Sequence, residues 1–297
     1  MRGKYHPMKK DSNRIAIQKQ AASFGQYIDR VLSENNAKEL IDSVSAQVPV
    51  FVFSGVIRDF FLNKYAIRDI DFVIMNSKEV NIPLSLLRPI TIGKNRFDGY
   101  KLLSKDLTID CWDVAKTWGI RQEGMKETAE SLLKTAFFNF SAIVYDYNRK
   151  EFLISDDFCK FLVTHTMEVI FPKNPKIETC IVNTLYYADH FDFKIGRSLR
   201  NWIIKNYRLD LDFASAQMRR YQQVFYSNEV IRFFVEICAM TEGYDYKMVH
   251  LYDSQRHRII DLQFDDRSST QYIKKKRGRL LRRLPRPRSM RRGRCSA

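Results

Sequence analysis

Apolar residues recur at three- and four-residue spacing over residues 11–34, at Ile15, Ala16, Phe24, Tyr27, Ile28, Val31 and Leu32, which predicts a long helix. A second helix is expected at 37–46, after the polar break Glu34-Asn35-Asn36. Val50 to Phe53 is a short apolar run with strand character, punctuated by Ser54-Gly55. Residues 56–63 read as a short helix with Val56, Ile57, Phe60 and Phe61 on one side, and 70–75 as a strand. Further strands are expected at 89–92, 100–103, 107–112, 137–145 and 151–154. From residue 157 to about 237 the apolar spacing turns helical, with stripes at Ile177, Ile181, Val182, Leu185 and Tyr186 and at Phe225, Val230, Ile231, Phe234 and Val235. The pattern is that of an α+β chain: a mixed sheet flanked by helices over residues 1–155, an all-helical region over 156–267, and a polar, then basic, tail over 268–297.

The stretch at 51–74 carries the candidate chemistry. It reads strand, tight turn, helix, loop, strand. Asp69 and Asp71 stand two apart at the start of an apolar strand, so both carboxylates point to one face. Two such groups repel unless something positive lies between them. Paired divalent cations are one solution, and hard oxygen ligands suit Mg²⁺. Ser54-Gly55 opens a helix, where glycine allows close approach and unpaired N–H groups favour a phosphate. Arg58, one turn on, could add a fixed positive charge against a triphosphate. A third carboxylate is expected on a neighbouring strand. Asp110 and Asp113 are three apart and face opposite ways on a regular strand. Asp110, inside the apolar run, is the one chosen.

Charge changes the picture less than its total suggests. The net charge of the 297 residues is +16, yet residues 274–297 hold twelve Lys or Arg and no Asp or Glu. The rest has 38 Lys plus Arg against 34 Asp plus Glu, close to balance. The tail either grips phosphates without sequence preference or is a solvated end. Cys111, Cys159, Cys180, Cys238 and Cys295 are widely spaced and form no Cys-x-x-Cys pair, which argues against a disulfide framework or zinc site. No apolar run reaches the length of a membrane helix, and residues 1–10 lack the apolar core of a signal peptide. A cytoplasmic chain with no membrane partner is the expectation.

Residues 53–74 resemble the head domain of the poly(A) polymerase and tRNA CCA-adding enzymes, in the DNA polymerase beta-like nucleotidyltransferase superfamily. The family's Gly-Gly-x-Val-Arg-Asp signature followed by Asp-x-Asp stands here as Ser54-Gly55-Val56-Ile57-Arg58-Asp59, then Asp69-Ile70-Asp71. Residues 95–101 and Ile109-Asp110-Cys111-Trp112 resemble the corresponding strands of bacterial relatives. Ala136-Phe137-Phe138-Asn139-Phe140-Ser141-Ala142 resembles the end of the family's Arg-Arg-Asp-Phe-Thr-Ile-Asn-Ala motif, with Asn139 matching its Asn. Leu133, Lys134 and Thr135 stand where that motif has its two arginines and its Asp, and Cys180, Asn183 and Tyr186 where arginines that help choose the nucleotide would lie. The resemblance covers about residues 50–155.

It implies a divergent bacterial-type head domain that uses two Mg²⁺ ions, held by Asp69, Asp71 and Asp110, to move a nucleotide from a nucleoside triphosphate such as ATP onto an acceptor. Ser54, Gly55, Arg58 and Asn139 would hold the nucleotide. An RNA 3′ end, as in tRNA processing, is the acceptor the family implies, and a protein acceptor stays open. A non-catalytic nucleotide-sensing or partner-binding relative is the competing reading. RNA contact could also draw on aromatics beside basic residues, at Arg200-Asn201-Trp202 and Arg219-Arg220-Tyr221.

Overall fold

A computed structural model of the chain describes residues 8–65, 67, 69–87, 90–94, 99–240, 246–247 and 263–264. The expected basic tail, Cys295 and the 95–98 part of the family-like stretch lie outside the described residues. The elements run α1 (Met8–Gln18), α2 (Ala21–Glu34), α3 (Lys38–Ser45), β1 (Val50–Phe53), α4 (Gly55–Phe61), β2 (Asp69–Ile74), α5 (Leu84–Leu87), β3 (Thr91–Lys94), β4 (Tyr100–Ser104), β5 (Leu107–Asp113), α6 (Trp118–Glu123), α7 (Ala129–Thr135), β6 (Ile143–Asp146), β7 (Glu151–Ile154) and α8 (Asp156–Thr164). Then follow β8 (Thr166–Met167), α9 (Ile177–Phe191), β9 (Lys194–Ile195), α10 (Arg197–Asn206), α11 (Phe213–Tyr221), α12 (Asn228–Met240), β10 (Tyr246–Lys247) and β11 (Gln263–Phe264).

The seven-stranded sheet has the order β3-β4-β5-β2-β1-β6-β7. Only the central β2–β5 pair is parallel; the other pairs are antiparallel. Strand alternation splits its side chains between two layers. Val50, Val52, Ile70, Phe72, Ile109 and Tyr145 face a core built with α2 and α3, where Phe24, Ile28, Leu32 and Leu40 are buried. Phe51, Val73 and Val144 face the other way, under Ile120, Ala129 and Leu132 of α6 and α7. Asp69 and Asp71 share this second face but lie nearer the start of β2 than Val73 does.

Three expectations are corrected. Residues 11–34 form two helices, broken at Lys19–Gln20: Arg14 of α1 reaches Ile154 and Asp156, whereas Phe24 and Ile28 of α2 enter the sheet core. Residues 137–145 are not one strand. Phe137, Phe138 and Phe140 leave the sheet to enter a second core with α9, α10 and α12, and a 3₁₀ turn at Asn139–Ser141 precedes β6. The run is apolar because it serves two cores. The later region is not all helical, since β8–β11 form a small sheet. The expected boundary after residue 155 falls at the start of α8, whose Phe158 belongs to the first core and Phe161 to the second.

Candidate active site

The sequence of β2 sets the site's first half. Ile70 and Phe72 are buried and the intervening Asp69 and Asp71 are half-buried, so alternation turns both carboxylates away from the first core. The parallel register then pairs Asp71 with Asp110 of β5, where Ile109 and Cys111 are buried on the opposite side. Lys101 of β4 pairs with Asp110 in turn. Asp113 is bound elsewhere: its Oδ1 accepts from the Ala115 amide at 2.8 Å and its Oδ2 from the Ser77 amide at 2.7 Å.

Asp69, Asp71 and Asp110 open into a cavity of about 630 Å³. The same cavity is lined by the cations Lys101, Lys116, Lys176, Arg219 and Arg220 and by the acidic Glu178. A second cavity of about 430 Å³ runs past Ser54, Gly55, Asn183, Tyr186 and Tyr221. The two share three residues: Asp69, Asp71 and Arg220. Burial would lower the Arg220 pKa, but Tyr187, Asp69, Tyr221 and Asp71 nearby raise it above its ordinary value, so it stays a cation. Burial likewise pushes the Tyr187 hydroxyl up, yet Arg58 and Arg220 bring it below the usual tyrosine value.

The turn between β1 and α4 bends at Ser54, with φ 64° and ψ −103°. That conformation suits glycine and strains a residue with a side chain. Gly55 is not in the positive-φ region, and a Cβ there would meet nothing within 4 Å. The space beside it is open to the smaller cavity.

Arg58 and Asn139, the other two residues expected at the nucleotide, each have protein partners. Arg58 lines the smaller cavity. It is 7% exposed, its Nε and Nη2 donate to Asp59 at 2.8 and 2.9 Å, and its Nη1 donates to Tyr187 Oη at 3.1 Å. Its guanidinium also lies over the Phe140 and Tyr187 rings. Burial raises the Asp59 pKa, with Arg58 opposing the shift. Asn139 is 3% exposed and works as a brace: its Nδ2 donates to Thr166 O, and its Oδ1 accepts from the Phe140 and Glu168 amides. Arg200 and Trp202 are buried as well, with Trp202 Nε1 donating to Pro172 O at 2.7 Å.

Arg220, Lys116 and Tyr187 are the cleft residues that spacing did not identify as part of the site. Arg219-Arg220-Tyr221 stood out only as a basic–aromatic run, and nothing in a separation of some 150 residues joins it to Asp71. Tyr221 Oη donates to Asn183 Oδ1 at 2.7 Å, and its ring stacks on Tyr186 at 4.4 Å, which in turn stacks on His190 at 4.0 Å.

Among the described residues no group of three or more His, Cys, Asp or Glu side chains forms a metal cage. The donor set nonetheless fits Mg²⁺, which binds through one or two carboxylates and completes its shell with water and substrate phosphate.

No family model and no curated protein sequence matches the chain. It is similar to solved structures of CCA-adding and tRNA-processing enzymes. One apo tRNA-processing enzyme is 18% identical, with 77% of this chain and 60% of that one covered at a TM-score of 0.49. A CCA-adding enzyme with CTP is 17% identical, with 66% and 49% covered at 0.44. A tRNA nucleotidyltransferase with a primer tRNA and an incoming ATP analog is 17% identical, with 66% and 54% covered at 0.42. The chain spans about half the length of these structures.

Proposed function

We propose that the chain is a metal-dependent nucleotidyltransferase that moves a nucleoside monophosphate from a nucleoside triphosphate to an RNA 3′ end. The observation that carries this reading is the register of β2 with β5, which brings Asp110 beside Asp71 on the face that bears Asp69, in a cavity also lined by five cations. Carboxylates alone would repel a triphosphate, and cations alone would bind it without chemistry. Lining one cavity together, they suit a metal–phosphate substrate.

Asp69 and Asp71 would hold the ions, with Asp110 as the third oxygen donor on the neighbouring strand. Bound divalent ions supply neutralisation of the phosphates and a more acidic acceptor hydroxyl. The backbone at Ser54 and Gly55 borders the smaller cavity and can approach the phosphates closely. The stacked Tyr186 and Tyr221 rings line the smaller cavity, where a nucleobase would lie beside them. In the larger cavity Lys101, Lys116, Lys176 and Arg219 would follow the acceptor backbone. The acceptor hydroxyl gives its proton to water as its oxygen joins the α-phosphorus, the α–β bridge breaks, and pyrophosphate leaves.

The test is purified full-length chain with Mg²⁺, each labelled nucleoside triphosphate in turn and total RNA. Label should enter RNA with the wild type, and the Asp69→Ala/Asp71→Ala variant should lose at least about a hundredfold in rate, the scale of removing electrostatic stabilisation from a phosphoryl-transfer site. Equal labelling by both would remove this site assignment. Label in protein instead of RNA would overturn the acceptor.

A further inference from the structure

Arg220 is one of the three residues common to both cavities; the other two are Asp69 and Asp71. It comes from the last turn of α11 and is exposed. Two carboxylates on one strand face need a positive neighbour when no metal is there. A guanidinium meets that need, because it stays charged and its planar fork suits carboxylates and phosphates alike. Arg58, the cation expected at the phosphates, is occupied by Asp59 and Tyr187. Tyr221, next to Arg220, is tied to Asn183, so the backbone that carries Arg220 is anchored while its long side chain reaches into the cleft.

We propose that Arg220 is both a placeholder cation, covering Asp69 and Asp71 when the chain is free of nucleotide, and the residue that grips the triphosphate once a divalent ion takes those carboxylates. This rests on the nucleotidyltransferase reading and adds to it the residue that couples metal entry to phosphate binding. A dication at the carboxylates repels the guanidinium, and the incoming phosphates give it a new partner. Because Arg220 borders both cavities, its movement away from the carboxylates also joins them into one cleft, where the acceptor and the nucleotide can meet.

The test uses the nucleotide-free full chain, with Mn²⁺ binding read by the loss of its free-ion EPR signal and inorganic tripolyphosphate binding read by calorimetry with Mg²⁺ present. Arg220→Gln should bind Mn²⁺ about tenfold more tightly and tripolyphosphate about tenfold more weakly than the wild type, each a change of one decade in affinity. Arg220→Lys, which keeps the charge, should lie between them. Arg232→Gln, at a residue that lines neither cavity, should change neither value. Circular dichroism checks that each variant is folded. Unchanged or weaker Mn²⁺ binding by folded Arg220→Gln would overturn the placeholder role, and unchanged tripolyphosphate binding would overturn the grip. If transfer to RNA still depends on Asp69 and Asp71 in either case, only the role of Arg220 falls. If the wild type and Asp69→Asn/Asp71→Asn take up no Mn²⁺ alike, the carboxylate site fails and the proposal fails with it.

Discussion

Ser54 shows how a residue's backbone state can matter more than its chemistry. The turn into α4 holds φ at 64° there, while Gly55 needs no such freedom. The Ser54→Gly variant should therefore gain about 1 kcal/mol of stability, the strain removed outweighing the extra freedom given to the unfolded chain. Urea denaturation would measure it, and an equal loss would show that the Ser54 side chain stabilises the turn. Asn139 was legible as a special residue, and the structure adds its backbone partners. Its amide makes two hydrogen bonds from the turn before β6 to the segment around β8 and a third within the turn. Asn139→Ala would leave those groups buried and unsatisfied, at about 2 kcal/mol or more. A thermal melt within 1 °C of the wild type would contradict this, since such a loss shifts a midpoint by roughly several degrees. Side-chain type is written in the sequence; whether that side chain meets a ligand or its own backbone depends on which loop folds over it.

At the scale of elements, alternation was the dependable signal. In β2 it put Asp69 and Asp71 on one face, and in β5 it separated Asp110 from Asp113, because a pleated strand leaves no other choice. It failed at 137–145, where three phenylalanines satisfy a helical core instead of a sheet. Asp113 has become a cap for the turn after β5. Burial alone would raise its pKa, but the Ser77 and Ala115 amides bring it below the ordinary aspartate value. A depressed folded-state pKa adds stability that is present above the unfolded value, near 3.8, and is lost as pH falls through the folded one. Acidification below about pH 4 should thus destabilise the wild type, and Asp113→Asn should show a shallower loss over that window in denaturant titrations at each pH. Parallel slopes would exclude the contribution.

Across the whole molecule, Arg58 clips the sheet region to the helices. It pairs with Asp59 on its own helix and donates to Tyr187 of α9, in the second core. Arg58→Ala would strand the half-buried Asp59 carboxylate, and removing one partner of such a pair costs about 3 kcal/mol or more. Equilibrium unfolding of Arg58→Ala and Arg58→Lys would check it, with the lysine recovering only part because it lacks the two-pronged geometry. Among the described residues no helix is long and apolar enough to cross a membrane. Local pattern thus fixed most strands of the large sheet, most helices and the shared face of Asp69 and Asp71, since alternation and helical spacing act over a few residues. The fold alone decided that Asp110 sits beside Asp71, that Arg58 and Asn139 are held by protein partners, and that Arg220 lines the same cavities as Asp69 and Asp71 from some 150 residues away. Those outcomes depend on strand register and on packing between distant segments, and no spacing along the chain encodes them directly.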